Sequence, residues 1–92
     1  MPEICRFFGI VIWMPSNDHL PPHFHAGYGG SEASIEIDSG VVLRGKLPPR
    51  IRGFLVEWAA LHRRELRANW KLVRTGRPTH RIAPLEWMRR EV

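Results

Sequence analysis

The stretch that decides the fold is residues 23–45, HFHAGYGGSEASIEIDSGVVLRG, in which polar and apolar side chains alternate on both sides of glycine-containing turns. Alternation with a period of two is typical of β-strands that bury one face. Gly29 and Gly30 suit a two-residue hairpin turn, and Gly40 suits the left-handed position of a three-residue turn. We therefore predict three consecutive antiparallel strands, at roughly 22–29, 31–37 and 41–45.

The turn lengths also predict the register of these strands. A two-residue first loop places His23 opposite Glu36 and His25 opposite Ser34, and a three-residue second loop places Arg44 opposite Ser34. Because side chains alternate along a strand, these five residues are expected to share one polar face. The opposite face is expected to hold the apolar residues Phe24, Ala26, Ile35, Ile37 and Leu43.

The segments on either side complete an α+β domain. Residues 4–14 contain the apolar run FFGIVIWM, which predicts a fourth strand that ends before Pro15. Residues 48–75 show apolar positions at helical spacing and predict a helical region with a bend near residues 64–67. The prediction for residues 1–92 is one domain with a small four-stranded, mainly antiparallel sheet, packed against a long or bent C-terminal helix and followed by an extended basic tail at 76–92.

Three polar residues interrupt the apolar side of the predicted helix: His62, Glu65 and Asn69. Spacings of three and four bring them together on a helix, and polar groups on a buried face need partners. They either form hydrogen bonds that join the helix to the rest of the fold, or they place His62 beside the histidines of the loop.

Composition indicates the cellular compartment of the protein. The single cysteine, Cys5, cannot form an internal disulfide, and it is expected to be a buried free thiol. The longest apolar run is too short to cross a bilayer. We predict a cytoplasmic protein that does not associate with membranes.

Basic residues concentrate in the second half of the chain. Residues 1–43 carry one Arg and five acids, a charge of −4, whereas residues 44–92 carry thirteen Lys and Arg and four acids, a charge of +9. Such an asymmetry favours nucleic acid or an acidic protein partner, although a solvated basic helix is the plainer alternative. Five cations gather on one side of the helical wheel as candidate nucleic-acid- or partner-binding residues: Arg52, Arg63, Arg67, Lys71 and Arg74.

The densest cluster of chemically active residues is NDHLPPHFH at 17–25. Two histidines and an arginine on one face are the groups needed to cleave an RNA phosphodiester through its 2′-hydroxyl. In this interpretation the catalytic residues are His23, His25, Glu36 and Arg44, with Glu36 orienting His23 and Arg44 binding phosphate. Asp18 and His19 would fold over that site, and the protein would be a metal-independent ribonuclease without a cofactor.

Two alternatives use the same histidines. His23 and His25 lie two apart on a strand, so with His19 or Asp18 from the loop they could bind a divalent metal ion. In the other alternative they are only polar residues on the open face of a small sheet. The loop that precedes their strand is stiffened by Pro21 and Pro22. The spacing His-x-His does not decide among the three.

The chain resembles a small prokaryotic family of uncharacterised proteins, domain of unknown function 4160. The blocks that carry the resemblance are PEICRFFGIVI, NDHLPPHFHAGYG, EASIEI, GKLPPR, VEWAALHRREL, NWKLVRTGRP and RIAPL, which together cover about residues 2–85. The most specific block is D-H-x-P-P-H-F-H, which is complete here from Asp18 to His25.

Members of this family are frequently encoded beside a second small protein, and the pairs are suspected toxin–antitoxin modules. The resemblance therefore implies a small cognate protein partner encoded nearby. It supplies no catalytic residues, so the candidate site depends on the predicted register. Our leading hypothesis is the toxin-like member of such a pair acting on RNA, and the alternative is a non-enzymatic module that binds an acidic protein or a nucleic acid.

Overall fold

The computed structural model describes residues 3–16 and 19–86. Five antiparallel strands pair in chain order to form a single sheet: β1 (Glu3–Phe7), β2 (Ile10–Trp13), β3 (His23–Tyr28), β4 (Ser31–Glu36) and β5 (Val42–Gly45). Two helices follow, α1 (Pro49–Leu61) and α2 (Arg63–Arg74). The predicted α+β class and the sheet followed by C-terminal helices are confirmed.

The prediction of four strands is wrong, because the segment at 4–14 forms a hairpin rather than one strand. Phe8 and Gly9 have φ angles of 51° and 79°, and this two-residue turn folds β2 back against β1. Positive φ at both central positions is the geometry of the type I′ hairpin turn. The sequence did not predict this turn because position 8 is Phe, and an aromatic residue seldom adopts the left-handed region.

The predicted register between β3 and β4 is confirmed from His23 opposite Glu36 to Tyr28 opposite Ser31. Between β4 and β5, Arg44 lies opposite Ser34 as predicted. The prediction that Leu43 lies opposite Ile35 on the apolar face is wrong. An irregularity in the ladder pairs Ile35 with Val42 instead, and Leu43 is 43% exposed. A bulge of this kind turns one side chain out of the ladder.

The helical region breaks at His62, just before the predicted bend. His62 has a non-helical backbone conformation, with φ −118° and ψ 25°, and it ends α1 and precedes α2. Its Nδ1 lies 2.6 Å from a carboxylate oxygen of Glu65 across the break. Asn69 has a separate role, because its buried amide donates to the His80 carbonyl and accepts from the His80 N–H. His62 and Glu65 therefore connect the two helices, and Asn69 connects α2 to the segment that follows it.

The helices cover one face of the sheet and form the core with it. Trp58 of α1 is fully buried and contacts the rings of Phe7 and Phe24 from the strands. Its indole N–H donates to the Ala83 carbonyl at 2.9 Å, so the one polar atom of this side chain has a partner. Cys5 is a buried free thiol as predicted, and burial raises its pKa.

Residues 77–86 have no regular secondary structure and return to the sheet. The Ile82 N–H donates to the Ile4 carbonyl of β1 at 2.9 Å, and Ile82 and Leu85 are buried in the core. Residues 87–92 of the predicted tail lie outside the described part of the chain. Neither helix in the described ranges has the length and apolar character needed to cross a membrane.

Candidate functional site on the open face of the sheet

A row of polar and aromatic side chains crosses the sheet on the face opposite the helices. Glu3 pairs with Trp13, Trp13 with His25, His25 with Ser34, and Ser34 with Arg44, so the row runs through all five strands. Neighbouring strands lie about 4.8 Å apart, so Trp13 and Arg44 are separated by about 14 Å. We call Trp13, His25, Ser34 and Arg44 the open-face row.

Trp13 provides a flat aromatic surface in this row. Its ring stacks on the His25 imidazole at a centroid distance of 5.6 Å and an angle of 18°. Gly27 lies beneath the ring, and a Cβ at that position would be 3.3 Å from the nearest ring atom. The absence of a side chain at Gly27 therefore lets the indole lie close to the strand. Sequence reasoning missed Trp13, although its place in β2 follows once the Phe8–Gly9 turn is known.

Two further histidines, His23 and His19, extend from His25 of the row toward α2. The His25 ring lies 5.1 Å from His23, and His23 lies 5.7 Å from His19 and 5.2 Å from Trp70 of α2. His23 is only 3% exposed, His25 is half-buried and His19 is exposed. The predicted open face thus holds His25, whereas Trp70 and the flanking rings enclose His23.

Backbone carbonyls orient two of these rings. His23 Nδ1 lies 2.7 Å from the Pro21 carbonyl, and His19 Nδ1 lies 3.2 Å from the Leu20 carbonyl. A carbonyl oxygen only accepts hydrogen bonds, so in each ring Nδ1 is the donor. In the neutral form of each ring, Nε2 is then the nitrogen that can take up a proton.

These histidines border a cleft of about 230 Å³. The described residues that line it are His19, Pro21, His23, His25, Ser34, Leu43 and Arg44. The Ser34 hydroxyl lies 3.4 Å from His25 Nδ1 on its floor. Pockets for drug-sized ligands usually measure about 300–1,000 Å³, so this cleft suits one group of a longer ligand that extends along the sheet.

The remaining residues of the predicted catalytic set are arranged differently. Glu36 lies opposite His23 in the ladder, but its carboxylate accepts a hydrogen bond from the Ser39 hydroxyl and it does not line the cleft. The Pro21 carbonyl occupies the orienting position at His23 Nδ1. Asp18, predicted to fold over the site, lies outside the described residues.

Three of the five candidate basic residues make contacts within the protein, two of them through hydrogen bonds or ion pairs. Arg63 donates to the Ile37 carbonyl at 3.3 Å, and Arg67 forms an ion pair with Asp38 at 2.6 Å. Both contacts join α2 to the turn between β4 and β5. The Arg74 guanidinium lies 5.7 Å from the Trp70 ring centroid. Arg52 and Lys71 are exposed on the helices.

The histidine cluster was also a candidate metal site, with His19, His23 and His25 as its ligands. Within residues 3–16 and 19–86, no group of three or more His, Cys, Asp or Glu side chains has an arrangement that could hold a metal ion. The carbonyl contacts of His19 and His23 direct one nitrogen of each ring to the backbone.

A family model described as a domain of unknown function (DUF4160) matches residues 9–71. The matched region runs from the turn before β2 into α2 and includes every residue of the open-face row and of the histidine cleft. Comparisons with curated proteins and with solved structures found no match.

Proposed function

The chain belongs to the DUF4160 family of unknown function, and we propose that it is the RNA-directed, toxin-like member of a two-protein toxin–antitoxin-type module. Single-stranded RNA would lie along the open-face row, and its phosphodiester would be cleaved at the histidine cleft. The cognate protein encoded nearby would be the second member of the pair.

The observation that carries this proposal is the position of His25 between a stacking surface and a cation. Trp13 stacks on one side of His25, and Ser34 and then Arg44 follow on the other side along the same row. Bases stack on aromatic side chains whatever their sequence, and a guanidinium binds phosphate through charge-assisted hydrogen bonds. One base and one phosphate would therefore place the ribose between them beside His25.

The cleavage step would form a 2′,3′-cyclic phosphate. His25 accepts the proton of the 2′-hydroxyl, O2′ attacks phosphorus, and the bond between phosphorus and O5′ breaks as O5′ receives a proton from protonated His19. Arg44 balances the negative charge that builds on the phosphoryl oxygens. His19 rather than His23 donates the proton in this scheme because the exposed His19 ring can reach the leaving oxygen, whereas His23 is only 3% exposed.

His23 has a supporting role in this scheme. Its ring lies between His19 and His25, and the Pro21 carbonyl fixes its orientation. It therefore positions both of the rings that exchange protons with RNA. Glu36 lies next to His23 across the ladder, and its orienting role stays a prediction.

The test is incubation of purified protein with a single-stranded RNA oligomer in the presence of EDTA, followed by analysis of the product ends. We expect products with 2′,3′-cyclic phosphate ends and no cleavage of DNA of the same sequence, which lacks the 2′-hydroxyl. Loss of a general base typically slows such a step by about 10²- to 10⁴-fold, and His25→Ala should fall in this range.

His80→Ala is the matched control, because His80 is exposed and holds the fold through its backbone atoms rather than its imidazole. This variant should cleave at the wild-type rate. Equal cleavage by His25→Ala and wild type, or cleavage of the matched DNA, would contradict the proposed chemistry.

A second candidate is a binding module without catalysis, which the burial of His23 favours. In that case RNA or an acidic partner protein binds without cleavage, and the exposed Arg52, Lys71 and Arg74 supply charge. Expression of the chain without its partner separates the two candidates. Growth arrest that His25→Ala relieves supports catalysis, whereas growth arrest that survives His25→Ala and His19→Ala supports binding.

A further inference from the structure

A second concavity lies at the other end of the sheet from the histidine cleft. It encloses about 410 Å³ and is lined by Phe8, Tyr28, Arg50, Ile51 and Phe54, which we call the aromatic pocket. Tyr28 ends β3 and His23 begins it, about 17 Å of strand away, and His25, the cleft residue of β3 nearest to Tyr28, lies about 10 Å of strand from it. The volume falls within the usual range of about 300–1,000 Å³ for ligand pockets.

The walls of the aromatic pocket expose large rings to solvent. Phe8 and Tyr28 are 39% and 36% exposed, and the Phe8 ring packs edge-on against Phe54 at 5.1 Å. Phe8 also has a φ of 51°, a region that is costly for an aromatic residue. A turn that presents a phenyl ring to solvent buries little apolar area by itself. Residues with strained backbone conformations cluster at functional sites, and exposed apolar patches mark binding surfaces.

The charge on the rim of the aromatic pocket is positive. The Arg50 guanidinium lies 5.6 Å from the Phe54 ring centroid, and among residues 3–16 and 19–86 no acidic side chain lines the pocket. Arg50 and Arg52 both lie in the first turn of α1, which contains no acidic residue. The amino end of a helix favours negative charge and α1 has no acidic side chain there, so an anionic group placed at Arg50 would complement this end of the helix.

We propose that the aromatic pocket is a docking site for an acidic peptide segment of a partner protein. One apolar side chain of that segment would fill the space between Phe8, Tyr28 and Phe54, and a neighbouring carboxylate would pair with Arg50. The apolar walls supply the anchor position, and the charge of the rim selects an acidic flank over a basic one. This site is separate from the histidine cleft and does not depend on RNA cleavage.

The test is a titration of isotope-labelled full-length protein, followed by NMR, with a set of acetylated pentapeptides Asp-Asp-X-Asp-Asp in which X is Leu, Ile, Phe or Trp. At least one peptide should shift the resonances of Phe8, Tyr28 and Arg50 in a saturable way. The same peptide with Gly at X, or with Lys in place of Asp, should bind about tenfold more weakly or not at all.

Arg50→Gln and Arg52→Gln form a matched pair, because they remove the same charge from the same helical turn and only Arg50 lines the pocket. We expect Arg50→Gln to weaken peptide binding about tenfold and Arg52→Gln to change it less than about twofold. Equal effects of the two variants would overturn the proposal, because charge alone would then explain binding.

Three further outcomes would also overturn it. One is that no peptide of the set shifts the pocket resonances, and another is that the peptides shift the histidine cleft instead. The third is a concentration-dependent dimer in which the pocket residues are covered, as sedimentation and dilution of the NMR sample would reveal. That result would assign the pocket to a second copy of this chain.

Discussion

At the scale of single residues, His25 owes its surroundings to four strands of the sheet. Gly27 lets the Trp13 ring lie close to the sheet, the ring stacks on His25, and Ser34 and Arg44 follow across the ladder. A strand residue can keep such neighbours only while the register holds, since a slip by one position would turn His25 toward the core. The accuracy of the site therefore depends on the turns that set the register.

Glu3 provides a residue-scale prediction that concerns pH. Hydrogen bonds from Arg6 and then from Arg81 lower the pKa of its carboxyl from 4.5 to about 2. A folded-state pKa below the unfolded value stabilises the fold fully above pH 4.5, and this stabilisation is lost as the pH falls from about 4.5 to about 2. Glu3→Gln should therefore be less stable than wild type at neutral pH and equally stable near pH 2.

Chemical denaturation across this pH range measures the difference between the two proteins, and NMR titration of the Glu3 carboxyl locates its midpoint directly. Arg6→Gln should move that midpoint upward, because Arg6 is the largest cause of the shift. A Glu3 midpoint close to 4.5 in the wild-type protein would show that the ion pairs with Arg6 and Arg81 do not form in solution.

At the scale of elements, the close approach of β5 to β4 depends on Gly45. Its φ is 82°, and a Cβ there would lie 2.2 Å from the Glu32 carbonyl oxygen and 2.9 Å from the Ala33 Cα. The left-handed backbone and the clash with main-chain atoms each cost about 1–3 kcal/mol. Gly45→Ala should therefore lower the free energy of unfolding by about 2–6 kcal/mol and detach β5, with Arg44 on it.

Gly53→Ala is the control for Gly45→Ala. Gly53 lies inside α1 and is exposed, and no described atom beyond its chain neighbours and its own helix backbone lies within 4 Å of where a Cβ would be. Alanine in a helix interior is favoured over glycine by about 1 kcal/mol, so this variant should be more stable than wild type. Thermal or urea unfolding of both variants tests the pair, and equal stability of the two would contradict the geometry described for β5.

The elements also show which features a sequence can predict. Gly29 and Gly30 determine one turn with an unmistakable signal, so the β3–β4 register and the neighbours of His25 in that hairpin followed from the sequence. The Phe8–Gly9 turn lacked this signal, so one strand was predicted where two exist and Trp13 was not placed in the row. The bulge that exposes Leu43 depends on contacts between strands, which turn length alone does not specify.

Burial of the site residues could not be read from the strand pattern. Alternation placed His23 and His25 on the same face, yet Trp70 of α2 packs against His23 and leaves it 3% exposed. Helical periodicity predicted the apolar face of α2 but not which strand residue it would meet. Similarly, the basic residues Arg63 and Arg67 look alike on a helical wheel, and only the tertiary fold shows that they contact Ile37 and Asp38.

At the scale of the whole molecule, the two proposed sites occupy opposite ends of one sheet, and both lie near positive charge. The open-face row offers few cations to RNA, chiefly Arg44, whereas the helices carry most of the charge of the +9 half of the chain. Arg67 contributes to the fold through an exposed ion pair with Asp38, which is usually worth less than about 1 kcal/mol. The distribution of charge thus provides a test of where RNA binds.

The salt dependence of RNA binding measures how many cations contact phosphate. For single strands the logarithm of the binding constant falls with the logarithm of salt concentration by about 0.7 for each phosphate neutralised. Arg44 alone predicts a slope of about −0.7, whereas the five candidate cations of the helices predict about −3.5. Fluorescence anisotropy with a 2′-O-methyl oligomer, which cannot be cleaved, gives this slope, and a value near −3.5 would move the binding surface to the helices.

The most direct test of the central claim, that RNA binds on the open face of the sheet, is an NMR titration with the same uncleavable oligomer. We expect saturable shifts of the Trp13 indole N–H and of the His25 and Arg44 signals, with the exposed Arg52 and Lys71 unchanged. Trp13→Ala should weaken binding by about 1–3 kcal/mol, the value of one stacked base. Shifts confined to Arg52, Lys71 and Arg74, with the open-face row unchanged, would contradict the account.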